Sequence, residues 1–405
     1  MPALVASHPS FAASVLPLVK QVQDGLLDHA TSNVPVLTQL SQYYLLMPCK
    51  LWRPSLTLLM CQATNGLGSN WQTVKAQAAA TPSELNDDVH NILPTQVRLA
   101  QIIEILHVAS LLHDDVIDNA DTRRGHPSLP AVSGNRRAIL AGDFLVGRTI
   151  VLASALGSPE VTLLLAQLIC TLVEGELLQS GDLDPARARA VLGAIAIPPA
   201  PGAPARLLEA DAEAAAMWET YLKKSYMKTS SIFEVALECG AVLGGAAPHD
   251  AVRAVVRLFG ACLGMASQLM NDVAEFEQPR SSAPTPTPAP ASPSDQPDAE
   301  LKPAPAAPAM NDDLENGLVT GPVFFALDED PSLRPLVLRR FSEPGDAAQV
   351  AAAVQRTHAV ARTRAFAKAY VDRARETLAE LPASTARAAL EDMAAGFLFP
   401  KAGKS

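Results

Sequence analysis

An all-α fold is the class this sequence predicts, and three observations predict it. Ala and Leu are abundant in a chain that is 48% hydrophobic, while aromatic residues make up only 5%. Ala and Leu lose little on entering a helix, whereas strands favour β-branched and aromatic side chains. Apolar residues recur at helical spacing through most of the sequence, with turn signals between the runs. The C-terminal stretch "DAAQVAAAVQRTHAVARTRAFAKAYVDRARETLAEL" reads as helices with a charged outer face.

Its 405 residues suffice for one large helical domain, and the organisation expected is a single domain over 1–405. Three stretches interrupt it. A polar connection at about 71–94 precedes a long helix starting near Thr95, and a second irregular insertion spans about 183–209. The third, at about 279–309, is a Pro/Ala/Ser/Thr tract whose composition cannot build a packed core, so a disordered insertion is expected there. Five well-separated cysteines form no CxxC pair, which excludes a zinc site of that type and reads as buried free thiols. A formal charge of -10 without clustered Lys and Arg excludes a nucleic-acid partner. The apolar run "VTLLLAQLICTLV" stops at Glu174, short of the roughly 20 residues a membrane span needs. The first 20 residues are free of acids but also of Arg, unlike an Arg-rich mitochondrial transit peptide.

Chemistry concentrates in "LLHDDVIDNADTRRGHPS", residues 111–128, where four aspartates and two adjacent arginines interrupt apolar sequence. On a helix, His107, Asp114 and Asp118 share one stripe, with Asp115 about a quarter-turn away. Two carboxylates one turn apart need a cation between them. Mg²⁺ accepts one or two carboxylates and completes its shell with water and substrate phosphates. Arg123 and Arg124, beyond the helix end, are suited to grip phosphate oxygens in a forked geometry. Carboxylates for a metal and guanidiniums for phosphate together point to a Mg–diphosphate site. A solvated acidic helix end is the bland alternative, and His107 with the paired arginines argues against it.

The run "SLLHDDVIDNADTRRGHPS" resembles the first aspartate-rich motif of the trans-polyprenyl diphosphate synthases, in particular the long-chain enzymes that make the ubiquinone tail. The resemblance spans nearly the whole chain. "YYLLMPCKLWRP" stands where the family has YY…GKxxRP, and "NRRAILAGDFLVGR", "LVEGELLQ", "YLKKSYMKTSSI" and "DLENGLVTGPVFFAL" follow in family order. The connection "SELNDDVHNILPTQ" looks most like the fungal mitochondrial hexaprenyl, solanesyl and decaprenyl diphosphate synthases.

Membership of this family implies an isoprenoid-synthase-type helical bundle around a deep central cavity. It implies that Asp114 and Asp118 hold Mg²⁺ against an allylic diphosphate (farnesyl or geranylgeranyl), which Arg123, Lys228, Thr229 and Gln268 also contact. Lys50, Arg53, His107 and Arg124 would hold isopentenyl diphosphate; Lys50 and Arg53 are three apart, as on one helical turn. Asp272 and Glu275 of "SQLMNDVAEFE" would complete the metal site. The chemistry implied is ionisation, condensation and elimination in a cavity that excludes water, with the growing chain running back past Ser110, Ala109 and Leu106, small or aliphatic positions that favour a long product. The resemblance also implies a homodimer or a complex with a second synthase subunit, peripheral membrane contact during product release, and a mitochondrial location.

Departures from the family pattern are specific. Its second motif, DDxxD, is here Asn271, Asp272 and Glu275, one negative charge fewer, and Ser267 replaces an aromatic. Cys49 replaces the glycine of GKxxRP, a cost if that position needs a positive φ, and Lys302 is the candidate for a loop lysine that the family carries after the second motif. These changes keep open a second reading, a weakly active or non-catalytic partner subunit of a heteromeric synthase. A terpene cyclase, with NDxxSxxxE downstream, fits poorly because Glu275 and Pro279 stand at its Ser and Glu positions.

Overall fold

The computed structural model describes residues 9–47, 49, 51–80, 91–180, 193, 196–277 and 312–398. Apart from one hairpin, the regular structure of these residues is helical. In chain order the α-helices are α1 (Pro9–His29), α2 (Pro35–Gln42), α3 (Trp52–Thr64), α4 (Trp71–Ala80), α5 (Pro94–Ile117), α6 (Leu129–Ser133), α7 (Asn135–Ser154) and α8 (Pro159–Ser180). There follow α9 (Ala205–Ala210), α10 (Ala212–Ser225), α11 (Ser231–Leu243), α12 (Ala251–Glu277), α13 (Asp312–Glu315), α14 (Gly321–Glu329), α15 (Arg334–Leu338), α16 (Asp346–Arg356), α17 (Ala359–Leu378) and α18 (Thr385–Gly396). A π-helical turn, Tyr226–Ser230, joins α10 to α11, and the hairpin pairs β1 (Thr122–Arg123) with β2 (His126–Pro127).

The chain forms two compact units, each discontinuous in sequence: Met1–Ala200 with Leu222–Gln268 and Ala367–Ser405, and Pro201–Tyr221 with Leu269–Phe366. In the first, α5 is the central element. It packs against α1, α3, α7 and α11 and is apolar on nearly every face, as a helix enclosed by others must be. Its start is close to the Thr95 expected. Pro94 takes the first helical position, where its missing N–H costs nothing, and Gln96 Oε1 accepts from Leu93 N–H at 3.0 Å. The Gln96 amide also pairs twice with Asn65 of the loop after α3, at 2.8 Å each, so the buried polar group ties two helices together.

The second unit gathers much of the scarce aromatic content. Trp218 lies 5.2 Å from Phe324, 5.4 Å from Tyr221 and 5.6 Å from Phe366, between ring centroids. Arg362 sits over Phe325 at 4.9 Å and bonds Asp328 at 2.7 Å.

Several expectations need correction. The stretch at about 71–94 is not irregular from its start: the Ala-rich segment Trp71–Ala80 is helical, anchored by the buried Trp71 ring under Lys75. Likewise, Ala205–Ala210 within the second insertion forms a helical turn and a half, with Leu207 buried. The Pro-rich tract at about 279–309, with Lys302, lies outside the described residues. Of the five free cysteines, Cys61, Cys239 and Cys262 are buried, but Cys170 is exposed and Cys49 half-buried. Cys170 lies on the outward side of α8, which is long and apolar enough by length and composition to cross a membrane, as is α12. Most of the α12 window is buried within the fold, whereas little of the α8 window is.

Candidate active site

The first unit assembles two charged clusters around the C-terminal half of α5. One is acidic. Asp114 lies in the last turn of α5 and Asp118 caps it, the Asp118 N–H donating to the Asp114 carbonyl at 2.8 Å. Lys228, on the π-helical turn, joins them, and its Nζ lies 2.5 Å from Glu176 of α8. Gly175 makes this approach possible: a Cβ there would sit 2.9 Å from Met227 Cβ and 3.0 Å from Lys228 Cγ. The π turn adds a residue to the helical ring and swings Lys228 and Thr229 out of the regular α stripe. Thr229 then donates to Gln268 Oε1 at 2.7 Å.

Burial pushes the Asp114 carboxyl up to about 7; Lys228 pulls against this, while Glu176 and Asp118 add to it. Asp118 is raised as well, by burial first and then by Glu176 and Asp115, against Lys228 and Arg123. Crowded carboxylates held near an ammonium are what a divalent cation would relieve. Among the described residues no group of three or more His, Cys, Asp or Glu forms a ready metal cage. That donor set fits Mg²⁺, which takes one or two carboxylates and draws its other ligands from water and phosphate.

The other cluster is basic. Arg53 of α3, Arg124 of the hairpin and His107 of α5 influence one another, and Glu104, one turn before His107, is buried at 3% exposure beside both arginines. Burial lowers Arg53 to about 10, opposed by Glu104, and it raises Glu104. Burial and three nearby guanidiniums keep His107 well below its ordinary value, hence neutral. Arg53 Nε and Arg124 Nη1 are buried without a hydrogen-bond partner. Two orphaned guanidinium nitrogens in one cluster are costly unless an anion completes them.

Local folding explains how Arg124 gets there. Arg124 (φ 53°) and Gly125 (φ 77°) are the two central residues of the tight hairpin, a geometry that requires positive φ at both. Gly125 accepts this freely; Arg124 does so at a cost of about 1–2 kcal/mol. The turn is clamped by Tyr43, which donates to the Pro127 carbonyl at 2.9 Å, and by Tyr44, whose hydroxyl accepts from Leu129 N–H at 2.9 Å. Tyr44 also donates to Asp115, and Asp115 in turn holds Arg123.

Other expected site residues fall as follows. Lys50 lies outside the described residues. The helix that carries Arg53, α3, begins at Trp52, and Leu51 before it is left-handed (φ 45°). Among the described residues of this segment, Leu51 carries a positive φ. Leu106 and Ala109 are buried, while Ser110 is half-buried and donates to the His107 carbonyl at 2.8 Å. In the second unit, Asp272 is 2% exposed; its Oδ2 accepts from Tyr221 Oη at 2.5 Å and from Gly321 N–H at 3.2 Å. Asn271 is exposed and Glu275 half-buried. Sequence reasoning did not single out Glu104, Glu176, Tyr44 or Asp115 as site residues. The signal for Glu104 was present in "IIEILHV", an acid inside an apolar helix one turn from His107.

A family model described as polyprenyl synthetase matches residues 34–284. The chain belongs to the polyprenyl synthetase family. Members are prenyltransferases with an all-α isoprenoid synthase fold, and they use divalent metal ions. The chain is 34% identical over 374 residues to decaprenyl-diphosphate synthase subunit 1 of Schizosaccharomyces pombe, covering 92% of this chain and 86% of that protein. It is 37% identical over 332 residues to the mitochondrial hexaprenyl pyrophosphate synthase of Saccharomyces cerevisiae, covering 76% of this chain and 64% of that protein. The fold matches that of a Caulobacter crescentus polyprenyl synthase complexed with calcium and isoprenyl diphosphate, with a TM-score of 0.68 at 23% identity, covering 98% of each chain.

Proposed function

We propose that this polyprenyl synthetase condenses isopentenyl diphosphate repeatedly onto an allylic diphosphate, farnesyl or geranylgeranyl, to make a long all-trans polyprenyl diphosphate for the ubiquinone side chain. The observation that carries the reading is the pair of orphaned guanidinium nitrogens on Arg53 and Arg124, one stretch of helix from the crowded acids Asp114 and Asp118. Arg53, Arg124 and neutral His107, with Lys50, hold the isopentenyl diphosphate. Arg123, Lys228, Thr229 and Gln268 bind the allylic diphosphate. Asp114 and Asp118 are the ligands proposed for Mg²⁺. When bound, Mg²⁺ neutralises diphosphate oxygens and so stabilises the leaving group.

The chain's own residues do the rest. Lys228 and Arg123 meet the charge that develops on the departing pyrophosphate. The apolar residues of α5 keep water from the allylic cation while the double bond of isopentenyl diphosphate attacks it. A proton is then lost, with the departing pyrophosphate as the nearest base. Ser110, Ala109 and Leu106 line the direction in which the product grows. A mitochondrial location accords with the name of the yeast relative.

Assembly with a second copy or a related subunit is part of the proposal. Val151 of α7 and Leu163, Val173 and Leu177 of α8 are exposed, an apolar face that a partner helix pair would cover. The fission-yeast relative is itself named a subunit. A non-catalytic role in a heteromer is the second reading, favoured by the altered second motif with Asn271 and Glu275. Turnover of the purified protein with Mg²⁺, farnesyl diphosphate and labelled isopentenyl diphosphate separates the two. A ladder of polyprenols well beyond about twenty carbons supports the synthase. No incorporation by folded protein, even with Asn271→Asp and Glu275→Asp together, supports the partner subunit.

A further inference from the structure

The two acidic motifs share a feature that their family reading does not use. In "DDVID" the second acid, Asp115, is completely buried (0% exposed). Its Oδ2 accepts from Tyr44 Oη, and its Oδ1 accepts from Arg123 Nε at 2.9 Å and from Arg123 Nη2. In "NDVAE" the acid at the second position, Asp272, is buried too, and it accepts from Tyr221 Oη and the Gly321 N–H. Both tyrosines come from an element remote in sequence. In each motif, therefore, the second position is occupied by a carboxylate fastened to a tyrosine hydroxyl. The first and fifth positions are Asp114 and Asp118 in one motif, Asn271 and Glu275 in the other.

We infer that Tyr44 and Asp115 act together as positioning residues that fix Arg123 for the diphosphate. This rests on the proposal that Arg123 faces a diphosphate. Asp115 grips the guanidinium by its Nε–Nη2 edge, which directs the Nη1–Nη2 end toward a second anion. Arg123 lies near enough to Asp114, Asp118 and His107 to shift all three, so it stands between the acidic and basic clusters. Tyr44 closes the device, because the same hydroxyl that donates to Asp115 accepts from Leu129 N–H beyond the hairpin. Helix end, hairpin and the segment after α2 are thereby locked through one carboxylate. A carboxylate whose oxygens already serve a guanidinium and a phenol is a poor candidate for a metal that demands near-ideal octahedral geometry.

The test uses the full-length protein and inorganic pyrophosphate with Mg²⁺, read by calorimetry and by ligand-induced thermal shift, beside the Mg²⁺ dependence of turnover. Asp115→Asn should weaken pyrophosphate binding about ten- to a hundredfold, the loss expected for a charge-assisted bond, and leave the half-saturating Mg²⁺ concentration unchanged. Tyr44→Phe keeps the buried ring and removes only the hydroxyl; it should weaken pyrophosphate binding less, again without moving the Mg²⁺ dependence. Asp114→Asn, the comparison, should raise the Mg²⁺ requirement. If Asp115→Asn shifts the Mg²⁺ requirement as Asp114→Asn does, Asp115 is a ligand and the inference is overturned. It is equally overturned if Asp115→Asn and Tyr44→Phe lower the melting temperature but bind pyrophosphate as the parent does. Should the parent protein itself fail to bind Mg²⁺ and pyrophosphate, the proposed function falls and this inference with it.

Discussion

Lys228 Nζ lies 2.5 Å from the Glu176 carboxylate, a pair made where a π-helical turn meets a glycine of the facing helix. Lys228 is also the strongest influence keeping Asp114 and Asp118 ionised against burial. Replacing it with Ala removes a donor for the leaving diphosphate and lets both acids take up protons more readily. Turnover should fall about 10²- to 10³-fold, as for loss of a transition-state donor, and the Mg²⁺ requirement should rise. Lys228→Arg should recover part of the turnover. Steady-state kinetics across a Mg²⁺ series checks both.

The raised Asp114 carboxyl makes metal binding pH-dependent. Its folded value, about 7, lies above that of the unfolded chain, so its contribution to stability is present in acid and is lost as pH rises through about 7. Metal needs the ionised form, so Mg²⁺ affinity should strengthen across the same window and binding should release a proton. Calorimetry at about pH 6.5, in buffers of different ionisation enthalpy, should detect that proton. At about pH 8.5 it should vanish, and Asp114→Asn should abolish the difference.

Glu104 is the internal counter-charge of Arg53 and Arg124. Glu104→Gln leaves two buried guanidiniums without it, which should destabilise the ligand-free protein by about 1–3 kcal/mol. Pyrophosphate with Mg²⁺ then supplies the missing charge. The thermal shift on ligand addition should be larger for the variant than for the parent, and an equal shift would remove Glu104 from this role.

Product length separates two neighbouring positions. Ser110 is half-buried, so Ser110→Phe should shorten the polyprenol ladder at little cost in stability. Ala109 is fully buried (0% exposed) in helix packing, and Ala109→Phe should cost about 1–3 kcal/mol from overpacking. Chromatography of extracted polyprenols, with melting temperatures, distinguishes these outcomes.

Asn271 is exposed, so its charge can be restored without disturbing the core. Asn271→Asp should lower the half-saturating Mg²⁺ concentration and leave the length of the product ladder unchanged. A Mg²⁺ titration of turnover against the parent protein decides it.

Much of this protein is determined by sequence periodicity and by spacing within single helices. The all-helical class follows from Ala and Leu content, and α5 begins within one residue of the Thr95 expected, because helix formation and capping are local effects. Local reasoning also put His107, Asp114 and Asp118 on one helix and set Asp115 aside. Where it failed, the cause was a local exception or a distant partner. The left-handed Leu51 starts the helix of Arg53 only at Trp52, and no spacing rule reveals it.

What only the tertiary structure decided is which charge meets which. His107 and Asp114 share a stripe in sequence, yet the fold gives one to Arg53 and Arg124 and the other to Lys228 and Glu176. Spacing turns Asp115 away from Asp114 and Asp118 but does not say what it meets; tyrosines brought from elsewhere in the chain make Asp115 and Asp272 anchors. The physical reason is range. Helix geometry is written by residues within one turn, whereas desolvation and ion pairing depend on whatever the packing of remote segments brings within a few ångströms.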